Sequence, residues 1–349
     1  MKTLAAILVK QNQPLAIDEI TIPDELLPGQ VLVKVVKTGI CGAQLREING
    51  DKGPDKFLPH LLGHEAGGIV ERIGPGVKKV RPGDHVVCHW RKGGGIEADP
   101  PKYVWKDTIV GAGPIATWSE HSVISENRLT PIPTDFPLEY AALMGCAITT
   151  GFGIVANEAQ LKIGQKIIVC GVGGVGLLTV LAAKLAGAGQ VIAVDQDKNR
   201  ATMSLQYGAC CSFSPIEFIA ENFYKSFLQT DVFVDFTGDP NLIVQGIKYT
   251  KTGGKIILAG QPKHGTDLLL ENFGSLLYQG KTIMDSQGGT SNPDTDIPRL
   301  VEFFRNNKEN YKHLSCLTGN HIPLKEINTR IGYIFEKPFL VPPRTVVSC

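Results

Sequence analysis

The chain has 349 residues, of which 43% are hydrophobic and 20% charged, an ordinary balance for a water-soluble protein and enough for two cores. Its net charge of +1 gives no electrostatic case for a nucleic-acid or anionic-membrane partner. Apolar stretches are broken by Gly and Lys well short of a membrane span, and the N-terminus MKTLAAILVKQNQPL lacks a secretory cleavage site, so a cytoplasmic protein with no membrane partner is expected.

Residues 1–130 read as a β-rich region with many tight turns. The N-terminal alternation is a first strand. Pro23 and Pro28-Gly29 mark turns before the β-branched run Val31–Val36, and Gly74-Pro75-Gly76 and Arg81-Pro82-Gly83-Asp84 mark turns between short strands. Helical spacing takes over at 136–160, from Leu138 through Ala141, Ala142 and Met144 and past Cys146 to Phe152 and Val155. This segment is the expected bridge between two domains. From Lys166 to Gly289 strands and helices alternate, with Val232–Asp235 and Lys255–Leu258 as parallel strands. Beyond Gly288-Gly289 come helices at Ile297–Phe304 and Ile327–Ile334 and a strand at Arg344–Val347. The eight cysteines are scattered without a C-x-x-C pair, which reads as buried thiols with a minority of metal ligands. Adjacent Cys210 and Cys211 read as one buried and one outward-facing thiol.

The best-marked stretch is 166–200, KIIVCGVGGVGLLTVLAAKLAGAGQVIAVDQDKNR. Ile167–Val169 is a strand, and Gly171, Gly173 and Gly176 follow at dinucleotide-fold spacing, with Gly174 and Val175 inside the loop. Val175–Leu185 is an apolar helix, and Val191–Val194 is a second strand ending in Asp195. Gly171 permits the turn, Gly173 lets a pyrophosphate approach the backbone, and Gly176 lets the helix pack on the strand. The helix N-terminus offers unpaired N–H groups to the phosphates. Asp195, about 20 residues past the loop, can accept the adenosine ribose hydroxyls and would repel a 2′-phosphate, which favours NAD. Arg200 reads equally as an adenine or ribose contact and as a solvated arginine on a helix face.

A second set of chemical residues is Cys41, His64, Glu65 and Cys146. Two thiolates and an imidazole suit Zn²⁺, and three protein ligands plus an open position make a catalytic rather than a structural site. Taken singly, Cys41 and Cys146 also read as packed thiols and His64 as a hydrogen-bonded core histidine.

The runs Gly39-Ile40-Cys41-Gly42, GHEAGG at 63–68, VERIG at 70–74, PGDHV at 82–86, GCAITTG at 145–151 and the Gly171–Gly176 loop occur in this order. On them the chain resembles the zinc-dependent medium-chain alcohol dehydrogenases over nearly its whole length. The resemblance implies an α/β protein with a Rossmann cofactor domain at 150–290 and a β-rich GroES-like catalytic domain at 1–149 and 291–349. It implies hydride transfer between an alcohol or carbonyl substrate and NAD. One catalytic zinc is then held by Cys41, His64 and Cys146, with Glu65 beside it and able to approach the metal. Thr150 and Val175 then line the nicotinamide, Asp195 binds the ribose, and Arg344 reaches the pyrophosphate. A homodimer or homotetramer joined through cofactor-domain strands is also implied.

Several positions depart from that pattern. Two residues after the first ligand, where the family's proton relay begins with Ser or Thr, stands Ala43. Five residues after it, often His, stands Arg46. The acid that supports the ligand histidine is replaced by Gln44. Glu47, Arg46, or water with a substrate hydroxyl are the replacement relays left open. Residues 88–118, where many relatives hold a second zinc on four cysteines, contain one cysteine, so no structural zinc is expected. That segment carries His89, Trp90, Arg91, Lys92 and Gly93–Gly95. It reads either as a surface loop or as a substrate-facing loop suited to a polar alcohol, whether phosphorylated, polyol or sugar-like. His60 reads as a pocket residue or as a surface or supporting histidine. Two rival readings are a zinc-free quinone or enone reductase and a non-catalytic NAD-binding protein. The ligand set argues against the first, and Ala43 and Arg46 keep the second open.

Overall fold

A computed structural model describes residues 1–220, 229–270, 274, 276, 278–319, 321–337 and 340–349; residues 221–228 of the alternating stretch lie outside them. The chain divides into two compact units, Met1–Thr149 with Asn292–Cys349, and Thr150–Ser291.

The first unit is built on β3 (Gln30–Ile40). Side chains alternate across a strand, and here both faces are covered. Val31, Val33 and Val35 enter one core with Val70, Val86 and Leu129, while Leu32 enters another with Ile7, Ile20 and Tyr103. Each such side chain contributes about 1.5–3 kcal/mol on burial. Antiparallel to β3 run β5 (Glu65–Ile73), β9 (His121–Ser125) and β18 (Thr345–Ser348), and β6 (His85–His89) lies beyond β5. A second sheet joins β1 (Lys2–Leu8) and β2 (Ala16–Thr21) to β4 (His60–Leu61) on one side and to Tyr103–Trp105 on the other. The C-terminal strand thus returns to the centre of this unit. Thr345 pairs with Ile40, which sets Arg344 beside the end of β3. Helix α1 (Gly42–Ile48) follows β3 at once, and α2 (Leu138–Met144) and α3 (Ala147–Gly153) are separated only by Gly145 and Cys146.

The second unit is a doubly wound sheet. Its parallel strands are β11 (Lys166–Cys170), β12 (Gln190–Val194), β13 (Cys211–Phe213), β14 (Thr230–Asp235), β15 (Thr250–Leu258) and β16 (Thr282–Asp285). They lie in the order β13-β12-β11-β14-β15-β16, the 3-2-1-4-5-6 arrangement of dinucleotide-binding folds. The core holds Ile168, Ile192, Phe233 and Ile256 with Phe218 and Tyr249. Of the adjacent cysteines, Cys210 is exposed and Cys211 half-buried, their sulfurs 3.6 Å apart. No single helix among the described residues is long and apolar enough to cross a membrane.

Candidate functional site

Cys41 ends β3 and heads α1, His64 lies between β4 and β5, and Cys146 sits in the turn between α2 and α3. One donor atom of each falls within 4.8 Å of the others. Gly145 permits this approach. A Cβ there would lie 2.2 Å from the Cys88 carbonyl oxygen and 2.9 Å from Glu65 Cα, so any side chain would push the Cys146 turn away from β5 and β6.

Both cysteines are buried, and His64 Nε2 is buried without a hydrogen-bond partner. Such an atom costs free energy unless something satisfies it. The Cys41 thiol lies well below its ordinary range. The hydrogen bond with Cys146 is the largest cause; the His64 ring and the Arg344 guanidinium add to it, against the opposing effect of burial. Two buried sulfurs, one of them biased towards its anion, and an unmet imidazole nitrogen make the donor set zinc selects. The residues therefore fit the ion.

Gln44 ties two of these donors together. Its Oε1 accepts from the Cys41 N–H at 3.2 Å, and its Nε2 lies 3.0 Å from His64 Nδ1. The amide nitrogen and oxygen are interchangeable in placement, and whichever atom faces the ring fixes its orientation. Ligation through Nε2 needs the proton on Nδ1. With its oxygen towards the ring, Gln44 accepts from Nδ1–H and leaves Nε2 free for a metal. A carboxylate would accept from both.

Glu65 and Arg344 meet each other beside the cluster. Glu65 is fully buried, with Oε1 in an ion pair with Arg344 and Oε2 accepting from the Ala147 N–H at 3.3 Å. Both oxygens are engaged, and the donor cluster comprises Cys41, His64 and Cys146. Arg344, expected at a pyrophosphate, is 5% exposed and spends its guanidinium on that carboxylate. Two threonines escape sequence reading altogether. Thr38 and Thr117 donate to the Glu65 carbonyl at 2.8 and 3.3 Å and lie 2.8 Å apart. They fix the backbone next to His64. Ala43 provides no hydroxyl, and Arg46 lies in the last turn of α1.

In the second unit, β11 runs through Gly171, at φ +85°, into α4 (Gly174–Leu185). A Cβ on Gly176 would stand 2.1 Å from the Gly171 carbonyl oxygen, whereas one on Gly173 would meet nothing nearer than Arg200 Nη1 at 3.9 Å. The first glycine closes the turn on the helix, and the second leaves its face open below Arg200. Asp195 ends β12 and is nearly buried. Its Oδ2 accepts from the Val172 N–H and its Oδ1 from the Asp197 N–H, each at 2.8 Å. Burial pushes its carboxyl up, opposed by those two N–H groups and by Arg200. Val175 lies in the first turn of α4, and Thr150 is the first residue of this unit.

The segment after β6 is bound to its own unit by carboxylates. Glu126 accepts from the N–H groups of Lys78, Lys79 and Ile96 at 2.6, 2.8 and 2.7 Å. Asp294 accepts from the Gly94 N–H and the Lys79 ammonium. Glu97 takes Arg128 and Lys92 at 2.8 and 2.9 Å, and Arg91 lies 5.6 Å over the Trp90 ring. His89 is buried and neutral: its Nδ1 donates to the Arg91 carbonyl at 2.7 Å and its Nε2 accepts from the Thr130 hydroxyl at 3.0 Å.

Known proteins share this architecture. Residues 27–134 match the alcohol dehydrogenase GroES-like domain family and residues 174–306 the zinc-binding dehydrogenase family. The chain is 29% identical to alcohol dehydrogenase class-3 of Cereibacter sphaeroides over 94% of this chain and 95% of that protein. It is 28% identical to the NDMA-dependent alcohol dehydrogenase of Amycolatopsis methanolica over 94% of each. The crystal structure of benzyl alcohol dehydrogenase from Acinetobacter calcoaceticus superposes with a TM-score of 0.86 at 26% identity, covering 100% of this chain and 99% of that one.

Proposed function

We propose that this chain, an alcohol or carbonyl oxidoreductase of the zinc-type medium-chain alcohol dehydrogenase family, uses one catalytic zinc and NAD(H) to move a hydride between an alcohol and its carbonyl. The observation that carries the reading is the meeting of Cys41, His64 and Cys146 donors within 4.8 Å around a buried, unpartnered nitrogen. Zinc bound there supplies a Lewis acid that stabilises an alkoxide or polarises a carbonyl, and NAD(H) supplies the hydride acceptor or donor.

The chain's own residues do the rest. Two thiolates and a neutral imidazole give the ion no net charge, which keeps it electrophilic. Gln44 orients the His64 ring, and the Cys146 hydrogen bond, with the His64 ring and the Arg344 guanidinium, holds the Cys41 thiol well below its ordinary range against burial. The open backbone at Gly173 and the start of α4 suit a pyrophosphate, with Arg200 above it. Asp195 has lone pairs left for ribose hydroxyls, and its charge disfavours a 2′-phosphate. Thr150 and Val175 are proposed at the nicotinamide. The edge strand β16, with Ile283 exposed, supports assembly into a homo-oligomer.

The test is turnover of zinc-loaded protein on a panel of primary alcohols, polyols and sugars with NAD or NADP. The expected result is NADH formation lost on chelation and restored by zinc. Turnover of enones or quinones without metal, or a preference for NADP, contradicts it.

A further inference from the structure

We propose that the first unit carries a second divalent-cation site, made of Glu47, Asp55 and His60, with nitrogen and oxygen donors only. Glu47 lies on α1, Asp55 in the loop after it, and His60 opens β4. One donor atom of each lies within 4.8 Å of the others. His60 Nε2 stands 2.8 Å from Asp55 Oδ2 and 3.6 Å from Glu47 Oε1. For an ion about 2.1 Å from each donor, those separations correspond to angles of about 85° and 120°, which bracket the ideal octahedral and tetrahedral values.

The arrangement is held in place before any ion arrives. His60 Nδ1 donates to the Leu61 carbonyl at 3.0 Å. That hydrogen bond fixes the tautomer and leaves Nε2 aimed at the carboxylates, as in metal-binding histidines. The Asp55 N–H donates to Gln11 Oε1 at 3.1 Å, and Asp55 Oδ1 accepts from the Phe57 N–H at 2.8 Å. Gln11 Nε2 donates in turn to the carbonyls of Glu47 and Gly53 at 3.0 and 3.1 Å, so one side chain clamps the loop to α1. The Asp55, His60 and Glu47 side chains are 7%, 12% and 29% exposed. An ion enters from the Glu47 side, where water completes its shell.

With Nδ1 committed to a carbonyl, Nε2 facing two carboxylates is satisfied by a proton or by a metal cation. A proton makes one good hydrogen bond, to Asp55, and leaves Glu47 with Lys52 at 3.5 Å. A cation engages all three donors. The absence of sulfur separates this site from the thiolate centre in the ions it takes, towards Mn²⁺, Co²⁺ and Zn²⁺ and away from softer metals.

The probe is Co²⁺ titrated into zinc-loaded protein. The site predicts uptake of one further equivalent, without a thiolate-to-cobalt charge-transfer band. Asp55→Asn weakens that uptake at least about tenfold while the zinc content stays unchanged. Glu47→Gln, at the more exposed ligand, is the second variant should Asp55→Asn fail to fold. Uptake that brings only the thiolate band, no further equivalent at millimolar cobalt, or undiminished uptake by the folded variants overturns the proposal.

Discussion

The thiolate centre and the segment at 90–98 are both loops gathered by polar side chains, and they differ in what those side chains meet. Around the segment, Glu126 joins the Ile96 N–H to those of Lys78 and Lys79, and Asp294 and Glu97 hold ammonium, guanidinium and amide donors. At the centre, His64 Nε2 has no partner and Cys41 is held towards its anion with nothing but its neighbours to balance it. The comparison separates architecture from function. Carboxylates that gather backbone and cationic donors stabilise a loop, whereas a buried, unmet imidazole nitrogen beside two sulfurs is chemically suited to a metal.

Four measurements break or sharpen this contrast. Cys146→Ala should remove zinc and lower kcat/KM by about a thousandfold or more, equivalent to about 4 kcal/mol of transition-state stabilisation, and should leave the unfolding midpoint of the metal-free protein almost unchanged. Glu126→Ala should do the reverse. Losing the acceptor of three N–H groups should cost about 3 kcal/mol and lower Tm by about 6–12 °C, with zinc content intact in calorimetry paired with metal analysis.

His89 extends the contrast to pH. Burial pushes its pKa down to about 4 from the ordinary 6.5, so between those values the unfolded chain binds a proton that the folded chain refuses. Stability therefore falls as pH drops below 6.5 and the loss levels off below about 4, reaching about 2 kcal/mol at pH 5. Urea unfolding of His89→Gln should lack this component. The smallest effect belongs to Gln44→Glu. A carboxylate accepts from both the Cys41 N–H and His64 Nδ1–H, which should tighten zinc about tenfold in competition with a chelator.

The sequence made the fold class legible because its signals are local. The run from Ile167 to Asp195 contains strand, glycine turn, helix and acid within one βαβ unit, and the strand order follows from such units. The candidate ligands were legible by residue type. Their surroundings were not. Glu65 and Arg344 meet across 279 positions, Thr38 and Thr117 across 79, and Lys78 and Glu126 across 48; no periodicity records contacts of that range. The role of Gln44 was visible only as a departure from pattern. What it does with its two amide atoms depends on how α1 presents them to Cys41 and His64. The Trp90–Gly95 stretch, which composition left between surface loop and substrate contact, is tied down by acids that lie far from it in the chain.

The most direct test of the central claim is anomalous diffraction at the zinc edge from crystals of protein that oxidises an alcohol with NAD. The account predicts a peak bonded to Cys41 Sγ, His64 Nε2 and Cys146 Sγ. Active crystals with no peak between those three atoms would contradict it.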